Sequence, residues 1–293
     1  MKPSGMDRAY AIADELIKDQ LRDKAPEVLD LIESMDEADI LVVRGKHDYI
    51  EQVLRGAGTR FTLVGSPALS TAELRKDQVL FINCGAKFDR RGLSRIREFV
   101  EGGGFLFTTD WALRDVLEQA FPGYVEYNNR PTGDEVVRVE IHAQDDPFLR
   151  SLIGPDDDPQ WWLEGSSYPI RVLNAEEVKV IISSKELGKR HGESAVFVTF
   201  PVGSGRVYHM ISHFYLQRTE TRTARHGRSA KSYMKEKGIS ADMMEKYDAM
   251  GAEDSMLGSV ESAYTSRSML SQVMLRKKEQ LRRMKEEELR RNS

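Results

Sequence analysis

Four side chains scattered along this sequence are of the types that move protons or attack carbonyl carbon: Cys84, Asp110, Glu164 and His213. A cysteine attacks as its thiolate, so it needs a base, a cation or a helix N-terminus to lower its pKa. Cys84 closes an apolar run, with Lys87 and Arg90 nearby in sequence; its plainer reading is a small buried hydrophobe. Asp110 follows the apolar stretch 105–109 and could serve as a general base, but an N-cap of the next helix is the stronger expectation. Trp111 beside it is a candidate pocket wall or a core residue. A Glu–His pair can do acid–base work, and Glu164 with His213 is such a candidate; a structural hydrogen bond is the favoured reading. His209 and His213 are four apart, which on a helix would suit a metal. The local alternation of Val207, His209 and Ile211 with Tyr208 and Met210 reads as strand, which separates the two by roughly 13 Å. No metal site or cofactor is therefore expected: Asp156-Asp157-Asp158 lacks the calcium-loop spacing and reads as a solvated loop. Gly102-Gly103-Gly104 has no following Lys-Ser/Thr and enters a strand, so it is not a phosphate loop.

The elements that must carry these residues alternate. Residues 6–36 have helical apolar spacing, which suits one helix or two, with Pro26 placed to open the second. Strands are expected at 39–43, 60–64, 78–84 and 105–109, and helices at 48–56, 93–101 and 112–120. Later strands follow at 135–142, 168–173, 178–183, 195–200 and 206–212, the last two joined by the Gly203-Ser204-Gly205 turn. Apolar strands separated by helices predict a mostly parallel sheet covered on both faces, an α/β three-layer sandwich of flavodoxin-like layering. Ligands of such sheets sit beyond the carboxyl ends of the strands. Those ends carry His47, Asn83 and Trp111, the ligand-binding candidates, together with Cys84 and Asp110.

The order of elements resembles the class I glutamine amidotransferase-like fold, and within it the ThuA-like (trehalose-utilisation) branch. The resemblance is carried by Val79–Cys84 followed by Phe99-Val100-Glu101-Gly102-Gly103-Gly104, by Trp162-Leu163-Glu164-Gly165-Ser166-Ser167-Tyr168, and by Val202-Gly203-Ser204-Gly205-Arg206-Val207-Tyr208 with Ser212-His213. It spans residues 38–217. Catalytic amidotransferases place a cysteine on a tight glycine-flanked turn between strand and helix. Here that turn reads Thr109-Asp110-Trp111-Ala112-Leu113, with neither thiol nor glycines. The resemblance thus implies a fold without the glutaminase nucleophile.

The 293 residues include 31% charged side chains and carry a formal charge of −4, which gives no global drive toward nucleic acid or anionic membrane. The one cysteine cannot form an internal disulfide and points to a reducing, cytoplasmic setting. No apolar signal core opens the chain, and no apolar run approaches the roughly 20 residues of a membrane span. The organisation expected is N-terminal helices over 1–37, the α/β domain over 38–217, and an extension over 218–293. Within the extension, 218–237 holds seven Lys and Arg against Glu220 and Glu236 and is expected to be solvated. Residues 266–291 form a charged helix whose narrow stripe of Leu270, Met274, Leu281 and Met284 is interrupted by Lys277 and Glu288.

Three functional readings follow. The leading one is a non-catalytic binding or scaffold module in a protein assembly, meeting a partner or a second copy through the C-terminal helix. The second, which the resemblance implies, is an enzyme on a small polar or sugar-like substrate using Asp110, Glu164 and His213 with Cys84 nearby. The third is phosphate or nucleic-acid binding through 218–237, weakly supported because aromatics are missing before Tyr233.

Overall fold

The computed structural model describes residues 5–142, 146–214 and 220–291. Along the chain run α1 (Gly5–Lys24), α2 (Pro26–Glu33), β1 (Ile40–Val43), α3 (Ile50–Gly56), β2 (Thr62–Val64), β3 (Val79–Ile82), α4 (Arg90–Glu101) and β4 (Phe105–Thr109). A π-helical turn over Leu113–Leu117 leads into α5 (Glu118–Ala120). Then come β5 (Val125–Tyr127), β6 (Glu135–Arg138), β7 (Glu140–Ile141), α6 (Pro147–Leu152), β8 (Gln160–Leu163), β9 (Ile170–Val172), β10 (Lys179–Ser183), α7 (Lys185–His191), β11 (Ala195–Val202) and β12 (Gly205–Met210). Helices α8 (Ala230–Glu236), α9 (Ala241–Ala249) and α10 (Leu257–Arg291) complete the described chain.

The main sheet has the order β2-β1-β3-β4-β12-β11-β10-β7. Pairing is parallel from β2 through β12 and antiparallel beyond. The parallel strands β1, β3 and β4 are apolar almost throughout and buried along their whole length, as strands covered on both faces must be. Helices α4 and α5 pack together beside β4 and β12, while α1, α2, α3 and α10 form a second group, so the α/β fold is a flavodoxin-like three-layer sandwich. The stretch read as one strand over 135–142 is split: β6 pairs with β8 in a small second sheet, and β7 pairs with β10 at the edge of the first. Helix α4 starts three residues earlier than its apolar spacing suggests because the Asp89 carboxylate accepts the Gly92 amide at 2.6 Å and caps it.

The extension is built into the body of the protein. Helix α10 lies along α1, and residues 257–275 are buried, many of them small or polar. Lys277, which reads in sequence as a break in the apolar stripe, is wholly buried. Its ammonium donates to the carbonyls of Lys76 (2.6 Å) and Gly103 (2.7 Å) and to Gln280 (2.8 Å), over the Phe105 ring. Burial pushes its pKa down to about 8. A side chain that interrupts the stripe therefore pins the helix to the turn before β4.

Most of the basic stretch is likewise drawn into ion pairs, while Arg228 and Lys235 stay exposed as expected. Arg225 pairs with Glu261 (2.7 Å) and Glu236 (2.6 Å), Arg222 with Glu186 (2.9 Å), Lys231 with Asp248 (3.0 Å) and Lys237 with Asp157 (2.6 Å). Asp157 also accepts the Tyr233 hydroxyl (3.1 Å), so the triple-aspartate segment anchors α8 instead of standing free in water. Arg218 lies outside the described residues. Among the described residues, no helix is long and apolar enough to cross a membrane.

Candidate functional site

The carboxyl ends of β3, β4 and β12 meet where the sheet edge faces the loop after β8. Asp110 leaves β4 with φ of +43°, a left-handed conformation that non-glycine residues rarely adopt and that Asp tolerates better than most. Its amide still donates to the Met210 carbonyl (2.8 Å), extending the β4–β12 ladder by one bond, and its carbonyl accepts from Leu113 (2.9 Å) at the start of the next turn. The result is a sharp strand-to-helix elbow with the Asp110 side chain at its apex. The expected N-cap role is not what the carboxylate does. Oδ1 accepts the Tyr168 amide (2.8 Å) and Oδ2 the Ser167 hydroxyl (3.2 Å), both from the loop after β8.

His213, just past β12, brings Nε2 to 3.0 Å from Asp110 Oδ2 and Nδ1 to 2.5 Å from Glu164 Oε2. Elbow side chain, imidazole and outer carboxylate thus stand in the order and spacing of a hydrolytic triad, with a carboxylate where the nucleophile would be. His213 and Asp110 are buried, and Glu164 is the half-exposed member. Burial by itself would disfavour the imidazolium. The side chains of Asp110, Cys84 and Glu164, together with the charge of Asp48, outweigh it and hold the His213 pKa well above the ordinary imidazole value.

Asp48 is a member that sequence reasoning missed. In sequence it is only the start of the 48–56 helix, yet it is 1% exposed and accepts the amides of Tyr49 (2.7 Å) and Phe214 (2.9 Å). Burial pushes its pKa up to about 6, against the pull of the His213 charge, the Thr109 hydroxyl and those two amides. A polar Asp at the predicted ligand edge, next to the apolar strand β1, was the available signal.

Cys84 is fully buried, its sulfur 3.9 Å from Asp110 Oδ2. Burial pushes the thiol up, and His213 and the Trp111 amide recover only part of that. Its carbonyl accepts the Lys46 amide (2.9 Å), and the chain after β1 crosses so close that a Cβ on Gly45 would lie 2.2 Å from that oxygen. Cys84, Asp110 and His213 offer three ligand atoms within 4.8 Å of one another, a donor set that suits a zinc-like ion. To serve as a ligand His213 would have to be neutral, against the carboxylates that raise its pKa.

The ligand-binding candidates separate. The Asn83 amide is spent on α3, accepting from the Ile50 amide (3.2 Å) and donating to Glu51 (2.8 Å). His47 and Trp111 stay at the surface in edge contact, with ring centroids 5.0 Å apart. Trp111 stacks on Tyr168 (5.8 Å), and Tyr168 on Tyr127 (3.9 Å). The Trp111 indole donates to the Ser166 carbonyl (2.7 Å), so this aromatic wall also fastens the β8 loop onto the elbow. On the opposite side, Met6 and Tyr10 of α1 and Ser262, Ala263 and Ser266 of α10 close over His213, leaving about 20 Å³, the space of one water. His209 is not part of the site. It lies inside the sheet with Nδ1 2.8 Å from the Thr108 hydroxyl.

No protein-family model matches the chain, and no curated protein matches it. Among solved structures, it is similar to a glutamine amidotransferase from Thermotoga maritima, at 11% identity and a TM-score of 0.46, over 82% of this chain and 99% of that one. A putative ThuA-like protein from Bacteroides uniformis is similar at 12% identity and a TM-score of 0.43, over 59% and 80%. A cytoplasmic protein from Salmonella typhimurium is similar at 14% identity and a TM-score of 0.43, over 60% and 87%.

Proposed function

We propose that this chain is an amidotransferase-like binding module that does not hydrolyse glutamine. The observation that carries this reading is the placement of His213 between two carboxylates, at 3.0 and 2.5 Å. Acyl transfer at such an elbow needs a nucleophile activated by a neutral imidazole that can take its proton. Here the two carboxylates beside the imidazole favour its protonated form, the elbow carboxylate has both oxygens engaged, and burial raises the pKa of the nearby thiol. The charged residues act as a lock that ties β4, β12 and the β8 loop together. The surface left for recognition is the His47–Trp111–Tyr168 wall and the final turns of α10, where Met284 and Leu289 are exposed. The test is turnover of L-glutamine and of activated acyl esters by the native chain and by Asp110→Asn. Equal background rates are expected; turnover that disappears with Asp110 overturns the reading.

A second reading, an enzyme on a small polar substrate, is favoured by one observation: Cys84, Asp110, Glu164 and His213, far apart in sequence, converge on one point. It requires Asp110 as the attacking or proton-accepting group. Saturable turnover of any screened substrate that falls at least about a hundredfold in Asp110→Asn would establish it.

A further inference from the structure

A second cavity lies away from the triad, enclosed by α1, α2, the residues that follow α3, and α10. Its volume is about 300 Å³, at the small end of the range for ligand pockets. One part is apolar, walled by Ile17, Leu21, Leu29, Ile32 and Met35. The other is charged. Asp14 supplies one buried carboxylate, and two cations share it: Lys18 at 2.7 Å on Oδ2 and Arg267 at 2.9 Å on Oδ1. Glu15 is 3.9 Å from Lys18 and is itself taken by Lys246 at 2.8 Å. Of the charged residues at the rim, Glu33 is exposed and Arg60 pairs with Asp36 at 3.2 Å. Arg267 is only 4% exposed, and its Nη1 is buried with no hydrogen-bond partner among the described residues. A buried guanidinium nitrogen without an acceptor is costly, and here it lies beside an apolar chamber with the one buried carboxylate, Asp14, already shared by two cations.

We infer that this cavity is a binding site for a monocarboxylate with an apolar body of about ten non-hydrogen atoms. The carboxylate accepts from Arg267 Nη1 and gives that buried nitrogen its missing acceptor. The apolar body lies against Ile17, Leu21 and Ile32. Arg suits the task because its fork holds Asp14 through Nε while Nη1 serves a second acceptor. The site rests on a different set of residues from the triad, so it stands or falls apart from the function proposed above.

The experiment is isothermal titration of the full chain with sodium octanoate and, separately, octan-1-ol, with melting followed by circular dichroism. Octanoate is expected to bind saturably at one site and to raise the melting temperature, and octan-1-ol to bind about tenfold or more weakly. In Arg267→Met, octanoate should bind no more tightly than octan-1-ol. Thr59→Trp fills the chamber from its half-buried rim without touching the ion pairs; it should abolish both, and it carries the test if Arg267→Met fails to fold. No saturable octanoate binding, equal affinity for octan-1-ol, or full affinity in Thr59→Trp would each overturn the assignment.

Discussion

His209 and His213 stand four residues apart on and just beyond the same strand, both buried, and their protons have opposite fates. His209 faces the inside of the sheet, with Nδ1 against the Thr108 hydroxyl; burial pushes its pKa down to about 3. His213 emerges at the strand end among carboxylates, which hold its pKa well above the ordinary imidazole value. Burial of the ring is nearly the same in the two cases. What differs is the company, and Asp110 on the β4 elbow supplies the largest part of it.

The comparison can be broken most sharply at His209. Its folded pKa lies below the ordinary imidazole value of about 6.5, so the native state binds fewer protons than the unfolded chain between that value and about 3. Its contribution is present above pH 6.5 and lost as pH falls toward 3. The loss is on the order of 5 kcal/mol, read from denaturant unfolding across that window and absent in His209→Gln. A native state whose stability is flat over this range would refute the assignment.

The next largest effect is at His213, where the sign reverses. Its raised pKa keeps its contribution full below about 6.5 and still present at neutral pH. His213→Gln strands Asp110 and should cost about 3–5 kcal/mol at pH 7, much of it recovered when Asp110→Asn is added. Imidazole NMR sharpens the contrast directly: a singly protonated ring for His209 at pH 5 and a doubly protonated ring for His213 at pH 8.

Asp48 comes third. Its folded pKa is raised above the ordinary carboxylate value, so the stability of the native chain relative to Asp48→Asn falls as pH rises from about 4 to about 6. The change is on the order of 3 kcal/mol. The smallest effect is expected at Glu164. Its half-exposed carboxylate is screened by water, so Glu164→Gln should cost about 1 kcal/mol or less at pH 7, and the NMR signature of His213 should persist. If Glu164→Gln costs as much as His213→Gln, the charge balance described here is wrong.

Much of this arrangement is legible in the sequence, and for identifiable reasons. The strands β1, β3 and β4 announce themselves as short apolar runs, and the carboxyl-end rule points to Cys84, Asp110 and Trp111. The alternation around His209 correctly separates it from His213. The sequence pattern fails where a residue's meaning depends on a partner far along the chain. Asp110 looks like a helix cap because its real partners, Ser167 and Tyr168, are more than fifty residues away. Lys277 looks like an interruption because the carbonyls of Lys76 and Gly103 that hold it are invisible locally. The basic stretch looks solvated because Glu261 and Asp157 are not its neighbours in sequence. Local periodicity reports which face is apolar; it carries no information about which charges will meet.

The pairing of α1 with α10 has a consequence for how the chain comes into being. Helix α1 leaves the ribosome long before α10 and presents Ala9, Ile12, Ala13 and Leu16, all wholly buried in the finished molecule, and one wall of that burial is a helix synthesised more than two hundred residues later. During translation α1 therefore has to wait with its apolar side uncovered, while the strands β1, β3 and β4 are already available to assemble. Nascent chains halted before residue 257 should remain bound to chaperones and be cut readily within α1, and that vulnerability should end once Arg267 has emerged to reach Asp14.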